Sequence, residues 1–232
     1  MDEREDVQGA VIVNEDITER KRTEERIHRQ NAILEGISRI FRECLTCETV
    51  EQVGRCCLTI VEEVTGSRFG FIGEINAETG CLDDIAISDP GWEVCRMHVQ
   101  SGHGSTIPTG FKIHGIYGRV LLDGKGFFTN DPASHPDSIG TPEGHPTLRA
   151  FLGVPLIQGG KTFGIVAVGN REGGYRDEDL TALESLAEPI VQMLMRKRAE
   201  QAIVQSVSLL RATLESTADG ILVVDGEGGI SD

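Results

Sequence analysis

The chain has 232 residues, of which 39% are hydrophobic and 25% charged, a balance typical of a globular protein with room for one domain and part of another. Its net charge of -15 argues against a nucleic acid or an anionic membrane surface as a partner, because both would be repelled over about 10 Å. No apolar run approaches the roughly 20 residues that span a bilayer, so we expect a cytoplasmic protein whose 6 cysteines are reduced thiols.

The first predicted element is a short strand at residues 10–13 that runs into a helix. The string V-I-V-N-E-D-I-T-E-R-K-R resembles the last strand and exit of a PAS domain whose other strands are missing. We therefore interpret residues 1–18 as the tail of a PAS domain. On this interpretation Met1 is an artificial start, or the chain is a fragment.

Residues 19–45 carry the pattern of a long signalling helix. Apolar residues recur there at alternating steps of three and four, as in the a/d repeat of a coiled coil. A helix that begins before the globular part needs a partner to cover such a seam. We therefore predict a homodimer through the C-terminal helix and through Ile27, Leu34, Ile37 and Phe41. The alternative is a helix that packs on its own domain.

The next stretch is predicted to form a helix, a hairpin, a second helix and a short strand. A capping box at Thr49 and Gln52 opens the first helix, and Gly66 ends it. The hairpin comprises residues 68–75 and 82–88. After it we expect, in chain order, a short segment at 92–97, a helix at 116–122 and a strand at 126–130.

Two apolar runs, 150–157 and 163–169, surround Gln158-Gly159-Gly160-Lys161, whose glycines suit the positive φ angles of a tight hairpin. Both faces of the second run are apolar, which predicts a central strand covered on both sides. A connection over residues 131–146 precedes these strands and contains several prolines. Connections of this length inside a compact domain tend to be functional.

The string F-L-G-V-P-L, the glycine-containing turn and F-G-I-V-A-V-G-N resemble the last two strands of a GAF domain, a small-molecule sensor module. The resemblance extends back through residues 126–131 and 90–95 and covers residues 46–198. It implies an α+β fold, with an antiparallel sheet, N- and C-terminal helices that form a dimeric helical bundle, and a pocket under loops on the other face.

The last helix, which starts near Asp177, keeps its apolar spacing as a linker helix over residues 199–214. Residues 215–232 contain G-I-L-V-V-D and resemble the start of another PAS domain. The order of PAS tail, GAF domain and PAS start resembles the interior of a multi-domain sensor histidine kinase of a two-component system. This implies that adjacent PAS and kinase domains of a longer protein are its partners.

The segment P-G-W-E-V-C-R-M resembles the one through which GAF domains of methanogen sensor kinases hold haem covalently by a single cysteine. The resemblance implies a haem site at Cys95 and Trp92 and a role in redox or gas sensing. An axial ligand requires an imidazole, and we expect His145, on a loop stiffened by prolines, to bind the haem iron. His114 and Phe151 complete the predicted site. From the residues alone, Cys95 as a plain buried thiol and His145 as a loop residue stay open.

Two alternatives need no cofactor: a relay or dimerisation domain without a ligand, and a thiol redox switch through Cys44 and Cys47. A zinc site that adds Cys56 and Cys57 is disfavoured, because neighbouring residues on a helix point about 100° apart. We expect no catalytic residues in this chain. The motif around His28, I-H-R-Q-N-A, lacks the acidic residue and the proline that follow a phosphorylated histidine.

Overall fold

The computed structural model describes residues 17–88, 109–141, 145 and 147–216. The helices are α1 Thr18–Glu43, α2 Val50–Thr65, α3 Gly115–Asp123 and α4 Asp177–Ser216, with a 3-10 turn at Cys44–Thr46. The strands are β1 Phe69–Ile75, β2 Leu82–Ile87, β3 Phe127–Thr129, β4 Phe151–Gln158 and β5 Lys161–Gly169. Trp92, Cys95 and nearly all of the two predicted PAS segments lie outside the described residues.

The five strands form one antiparallel sheet in the order β2-β1-β5-β4-β3. The predicted central strand is confirmed, because β5 lies between β1 and β4. Its hairpin with β4 turns at Gly159 and Gly160, whose φ angles of 57° and 78° are those that glycine adopts without strain. The α+β class and the antiparallel sheet with flanking helices are therefore as predicted.

The capping box that opens α2 is confirmed. The N–H of Gln52 donates to Oγ1 of Thr49 at 3.1 Å, and the Gln52 side-chain oxygen accepts from the N–H of Thr49 at 3.3 Å. At the other end Gly66 adopts a φ of 66° and closes the helix, as predicted. Both ends of α2 are thus determined by local sequence.

One side of the sheet, called the helix face below, is covered by α2 and α4, and α1 packs on these two helices. Arg29 of α1 lies 3.4 Å from Asp179 at the start of α4, and Gly36 lies beside Leu186 seven residues further along both helices, so α1 and α4 run in the same direction. The short distance between Cys44 and Cys57, and the ion pair of Arg39 with Glu63, show that α2 runs the opposite way. The core between these helices and the sheet includes Ile40, Leu58, Ile60, Ile72, Leu152, Val166, Leu183, Leu186 and Ile190.

The terminal helices extend beyond this core at opposite ends. The buried residues of α1 are Gly36 and Ile40, so its first turns lie outside the core. Burial along α4 ends at Leu194, and residues 199–216 continue for about 27 Å at the helical rise of about 1.5 Å per residue. Within the described ranges, none of the helices is both long and apolar enough to cross a bilayer.

Candidate ligand-binding face of the sheet

The side of the sheet opposite the helix face, called the α3 face below, carries a second and smaller apolar cluster. Val120 and Leu121 of α3 are buried there with Phe151 of β4 and Ile165 of β5. Half-buried side chains extend this cluster: Phe71, Ile75, Phe111, Ile113, Ile116, Tyr117, Phe127 and Leu148. Because half of these are aromatic, the face offers flat apolar surfaces against which a small molecule could pack.

Asp84 places a carboxyl group on this apolar face. A β-bulge after Ile72 shifts the pairing of β1 with β2 and sets Asp84 opposite Gly73. A Cβ atom at Gly73 would lie 3.2 Å from Oδ1 of Asp84, so the glycine leaves room for the carboxyl group. Burial, and after it the charge of Asp83, raises the pKa of Asp84 to about 8. At neutral pH this carboxyl group is mostly protonated.

The polar groups nearest to Asp84 are bonded elsewhere. Asp83 accepts a hydrogen bond of 2.8 Å from the side-chain amide of Asn76. The hydroxyl of Tyr117 donates to the carbonyl oxygen of Lys112, and burial followed by the charge of Asp84 raises the pKa of Tyr117. None of the described residues donates a hydrogen bond to the Asp84 carboxyl group or forms an ion pair with it. This carboxyl group is therefore available to a ligand.

The described residues on either side of residues 89–108 lie beside the β1–β2 hairpin. Ser88 and Gly70 exchange two hydrogen bonds of 3.0 Å, which hold the end of β2 against β1. Phe111 pairs with Leu82 through backbone hydrogen bonds of 2.7 and 2.9 Å at the start of β2. Ser88 and Phe111, which precede and follow residues 89–108 in the chain, are therefore both bonded to the β1–β2 hairpin that carries the carboxyl group.

This architecture agrees with comparisons of the chain with known proteins. The sequence profile of the GAF domain family matches residues 47–195. The chain belongs to the GAF domain family. It is 27% identical, over 82% of its length, to the methyl sulfide methyltransferase-associated sensor of Methanosarcina acetivorans. The chain spans only 18% of the length of that relative.

Solved GAF structures share the fold. The GAF domain of a phosphoenolpyruvate-protein phosphotransferase from Coxiella burnetii superposes with a TM-score of 0.60 at 19% identity, over 73% of this chain and 96% of that one. Free methionine-R-sulfoxide reductase from Neisseria meningitidis, solved with its substrate, gives a TM-score of 0.56 at 15% identity over 72% and 91%. At these identities the likeness is one of fold alone, and it extends to a domain of a phosphotransferase and to a reductase.

The residues predicted for the GAF ligand site lie in different surroundings. Phe151 is buried under α3, with its ring 5.6 Å from that of Phe127. His114 directly precedes α3, is exposed, and lines a groove of about 440 Å³ on the outer side of that helix. His145 is half-buried, between residues that lie outside the described ones. The described structure therefore does not bring Phe151 and His114 together in one pocket.

The loop that follows His145 is anchored to β5 by a single side chain. Oδ1 of Asn170 accepts from the N–H groups of Arg149 and Ala150 at 2.7 and 3.3 Å. Its Nδ2 donates to the carbonyl oxygen of Thr147 at 2.8 Å. Asn170 has a φ of 61°, a left-handed conformation that asparagine tolerates better than most residues. The start of β4 is thus held firmly.

Two of the described histidines, His114 and His135, do not lie in surroundings that suit an axial haem ligand. The groove beside His114 is charged, because Arg119 pairs there with Asp123 at 3.5 Å and with Asp137 at 3.2 Å. His135 lies within 3.3 Å of Arg119, so its ring already has a polar partner. An axial ligand needs an imidazole that faces an apolar cavity, and neither of these histidines is so placed.

Four cysteines of the GAF domain meet where α1 joins α2. The Sγ atoms of Cys44 and Cys57 are 3.6 Å apart in the core, and Cys47 and Cys56 lie half-buried beside them. The hydrogen bond with Cys57, followed by burial, raises the pKa of Cys44, and burial does the same for Cys56. Within the described part of the chain, no three metal-ligating side chains are placed to hold an ion. Among the described cysteines, the thiol nearest to that of Cys44 belongs to Cys57.

Sequence reasoning did not find Asp84. A signal exists, because two adjacent aspartates inside a predicted strand must place one carboxyl group on each side of the sheet. Which of the two enters the α3 face depends on the bulge after Ile72, and this bulge has no mark in the sequence.

Proposed function

We propose that this chain is a cytoplasmic sensory module of a signal-transduction histidine kinase, which binds a small ligand on the α3 face and relays its presence through α1 and α4. The observation that carries this proposal is the parallel course of α1 and α4, which pack on each other behind one face of the sheet and leave the core at opposite ends. A change in the sheet would reach α4 directly and α1 through its contacts with α2 and α4. Similarity to a protein named as a sensor supports the same role.

In this proposal the relay step is a shift between two packings of the terminal helices in a homodimer. The side chains of Ile27, Leu34 and Phe41 follow each other at steps of seven on α1 and are exposed. On α4 the exposed residues Ile203, Val207, Leu210 and Leu214 alternate at steps of four and three. Ile37, the fourth residue predicted for the seam, packs against the helix-face core instead.

The dimer is tested by light scattering after size exclusion. We expect the parent chain to be a dimer and the double variant Leu34→Glu, Leu210→Glu to be a monomer, because each substitution buries charge in the seam. The matched control is Leu122→Glu on α3, where a leucine with 76% exposure lies far from the seam. A double variant that stays fully dimeric would rule out this relay surface.

Neighbouring PAS and kinase domains of a longer protein would be the source and the target of the relay. We propose no catalytic residue in this chain, since His28 is an exposed position on α1. Phosphotransfer would then take place in another domain. A phosphorylation assay of the longer protein, with His28→Ala as a variant, tests this division, and loss of phosphotransfer in that variant would contradict it.

We propose haem attached through Cys95 as the candidate ligand, with His145 as the axial residue. The support is the resemblance of the Trp92–Cys95 segment to haem-binding GAF domains, and the bonding of Ser88 and Phe111, which lie on either side of it in the chain, to the β1–β2 hairpin beside the α3 face. The test is an absorption spectrum of the chain reconstituted with haem. A Soret band that survives acidic acetone in the parent but not in Cys95→Ala is the expected result, with His28→Ala as the control. A flat spectrum would refute haem and leave the sensory role to another ligand.

A thiol redox switch is the second candidate, favoured by the distance of 3.6 Å between the sulfurs of Cys44 and Cys57. With a low-molecular-weight disulfide as oxidant, each cysteine loses one hydrogen, a sulfur–sulfur bond forms between them, and the reagent is reduced to two thiols. The new bond would join α2 to the end of α1, close to the relay.

Oxidised glutathione followed by peptide mapping tests the switch. We expect a Cys44–Cys57 disulfide in the parent and none in Cys57→Ser, whereas Cys81→Ser, remote from the cluster, should behave as the parent does. Mapping of a Cys44–Cys47 bond instead would contradict the pairing.

A further inference from the structure

The α3 face holds one polar group that the fold itself does not use. In the β1–β2 hairpin the same-face neighbours of Asp84 are all uncharged: Phe71, Gly73, Ile75, Leu82 and Ile87. Asp83, the residue before Asp84, accepts hydrogen bonds from the side chain of Asn76 and, at 2.7 Å, from the N–H of Gly110, and so has a structural role. Asp84 has no such bond to the described residues, although an ionised carboxylate in apolar surroundings is costly.

The surroundings of Asp84 define what would complement it. Asp83 adds negative potential from the same strand, so an anion would be repelled. Tyr117 cannot donate to Asp84 because its single proton is already donated to the carbonyl of Lys112. Half-buried rings of Phe71, Phe111 and Tyr117 belong to the same face, and aromatic faces attract cations.

We propose that Asp84 is the recognition group of a binding site for a small organic ammonium ion, which pairs with the carboxylate and packs against the aromatic side chains of the α3 face. This inference rests on the proposed sensory function and names a ligand class that would take the place of haem. A primary amine and a methylated ammonium share the required chemistry, which is a positive charge on a small apolar body.

Binding of a cation is then linked to release of a proton. Because the pKa of Asp84 in the free protein is about 8, an ammonium ion binds the ionised form and displaces the proton. The affinity should rise by up to about tenfold per pH unit as the pH approaches 8, and level off above it. The other titratable groups packed near this site are Tyr117 on α3 and Asp83 on β2, with Lys112 and His114 exposed before α3. Glu74 lies on the opposite face, paired with Arg198.

The test measures binding of choline and butylamine to the whole chain by calorimetry at about pH 6 and about pH 9. Dimethylbutanol, the uncharged isostere of choline, controls for apolar contact. The variants are Asp84→Asn, which removes the charge from the site, and Glu78→Gln, which removes one from the exposed turn of the same hairpin.

We expect at least one of the two ammonium compounds to bind the parent and Glu78→Gln at least about tenfold more tightly at the higher pH. Asp84→Asn should bind it about as weakly as the parent binds dimethylbutanol. The inference is overturned if both compounds bind no better than dimethylbutanol, or if they bind Asp84→Asn as well as the parent. Such a failure leaves the sensory proposal intact, because that proposal fails instead if the Leu34, Leu210 double variant remains dimeric.

Discussion

The helix face and the α3 face of this sheet differ in how completely their side chains are buried. On the helix face, Leu152, Val166 and Leu186 are buried among three helices, of which α1 and α4 are the first and last of the described structure. On the α3 face the short helix α3 is the one described helix over a cluster whose rim is half-buried, aromatic and interrupted by Asp84. A tightly packed core responds to change as a unit, whereas a loosely covered one can admit a ligand. The sheet would therefore separate the rigid helices of the proposed relay from the more adaptable face proposed to bind the ligand.

A matched pair of leucines tests this difference with the largest expected effect. Leu183→Ala on the helix face should lower the free energy of unfolding by about 3–5 kcal/mol, because its neighbours are rigid and leave a cavity. Leu121→Ala on the α3 face should cost about 2 kcal/mol, since its half-buried neighbours can move into the space. Urea denaturation of both variants gives the two values. Equal losses would contradict the difference between the faces.

The coupling of the two terminal helices gives the next largest effect. Asp179 is buried, 3.4 Å from Arg29 of α1 and 3.6 Å from Arg171, and accepts a hydrogen bond of 2.9 Å from the N–H of Arg176. Asp179→Asn leaves these guanidinium groups without their buried counter-charge, so we expect a loss of about 1–3 kcal/mol in thermal or urea unfolding.

The control for this prediction is Glu178→Gln, because Glu178 lies 3.7 Å from the same Arg29 but is exposed. Its effect should stay within about 0.5 kcal/mol, as for other exposed ion pairs. If both substitutions destabilise the protein equally, burial is not what makes the Asp179 contact strong.

Asn170 links the helix-backed strand β5 to the loop that carries His145, and two substitutions separate its two contributions. Asn170→Gly removes the side-chain hydrogen bonds but tolerates a φ of 61°, whereas Asn170→Ala removes the bonds and adds strain. We expect losses of about 1 kcal/mol for the glycine variant and about 2 kcal/mol for the alanine variant in urea unfolding. An alanine variant as stable as the glycine variant would contradict the role of the backbone angle.

The sequence predicts the elements whose formation depends on near neighbours. The capping box of Thr49 and Gln52 and the β4–β5 turn at Gly159 and Gly160 are local, and both are found as predicted. Contacts between residues that are far apart in the sequence are harder to predict from it. Cys44 has Cys47 three residues away, yet its nearest sulfur belongs to Cys57, because α2 folds back along α1.

The site shows the same limit. The side that Asp84 faces is set by a bulge that depends on how β1 and β2 pair, and a shift of one residue would turn Asp84 to the helix face. Likewise, Ile37 satisfies the repeat of the α1 seam but packs on its own domain. A helix of this length can carry two apolar stripes, and spacing alone does not say which residue belongs to which.

Asp84 also gives the stability of the fold a pH dependence. Its pKa is raised from about 4 in the unfolded chain to about 8 in the folded one, so the folded state holds the proton more tightly between these values. The associated stability is fully present below about pH 4 and is lost as the pH rises through about 8. Asp84→Asn has no proton to lose, so its melting temperature should exceed that of the parent by about 10 °C at about pH 9 and match it at about pH 4. Asp83→Asn should instead be less stable at both values, because it weakens the bonds to Asn76 and Gly110. If Asp84→Asn and the parent kept the same difference in melting temperature at both pH values, the carboxyl group would be solvated and the α3 face would be no more adaptable than the helix face.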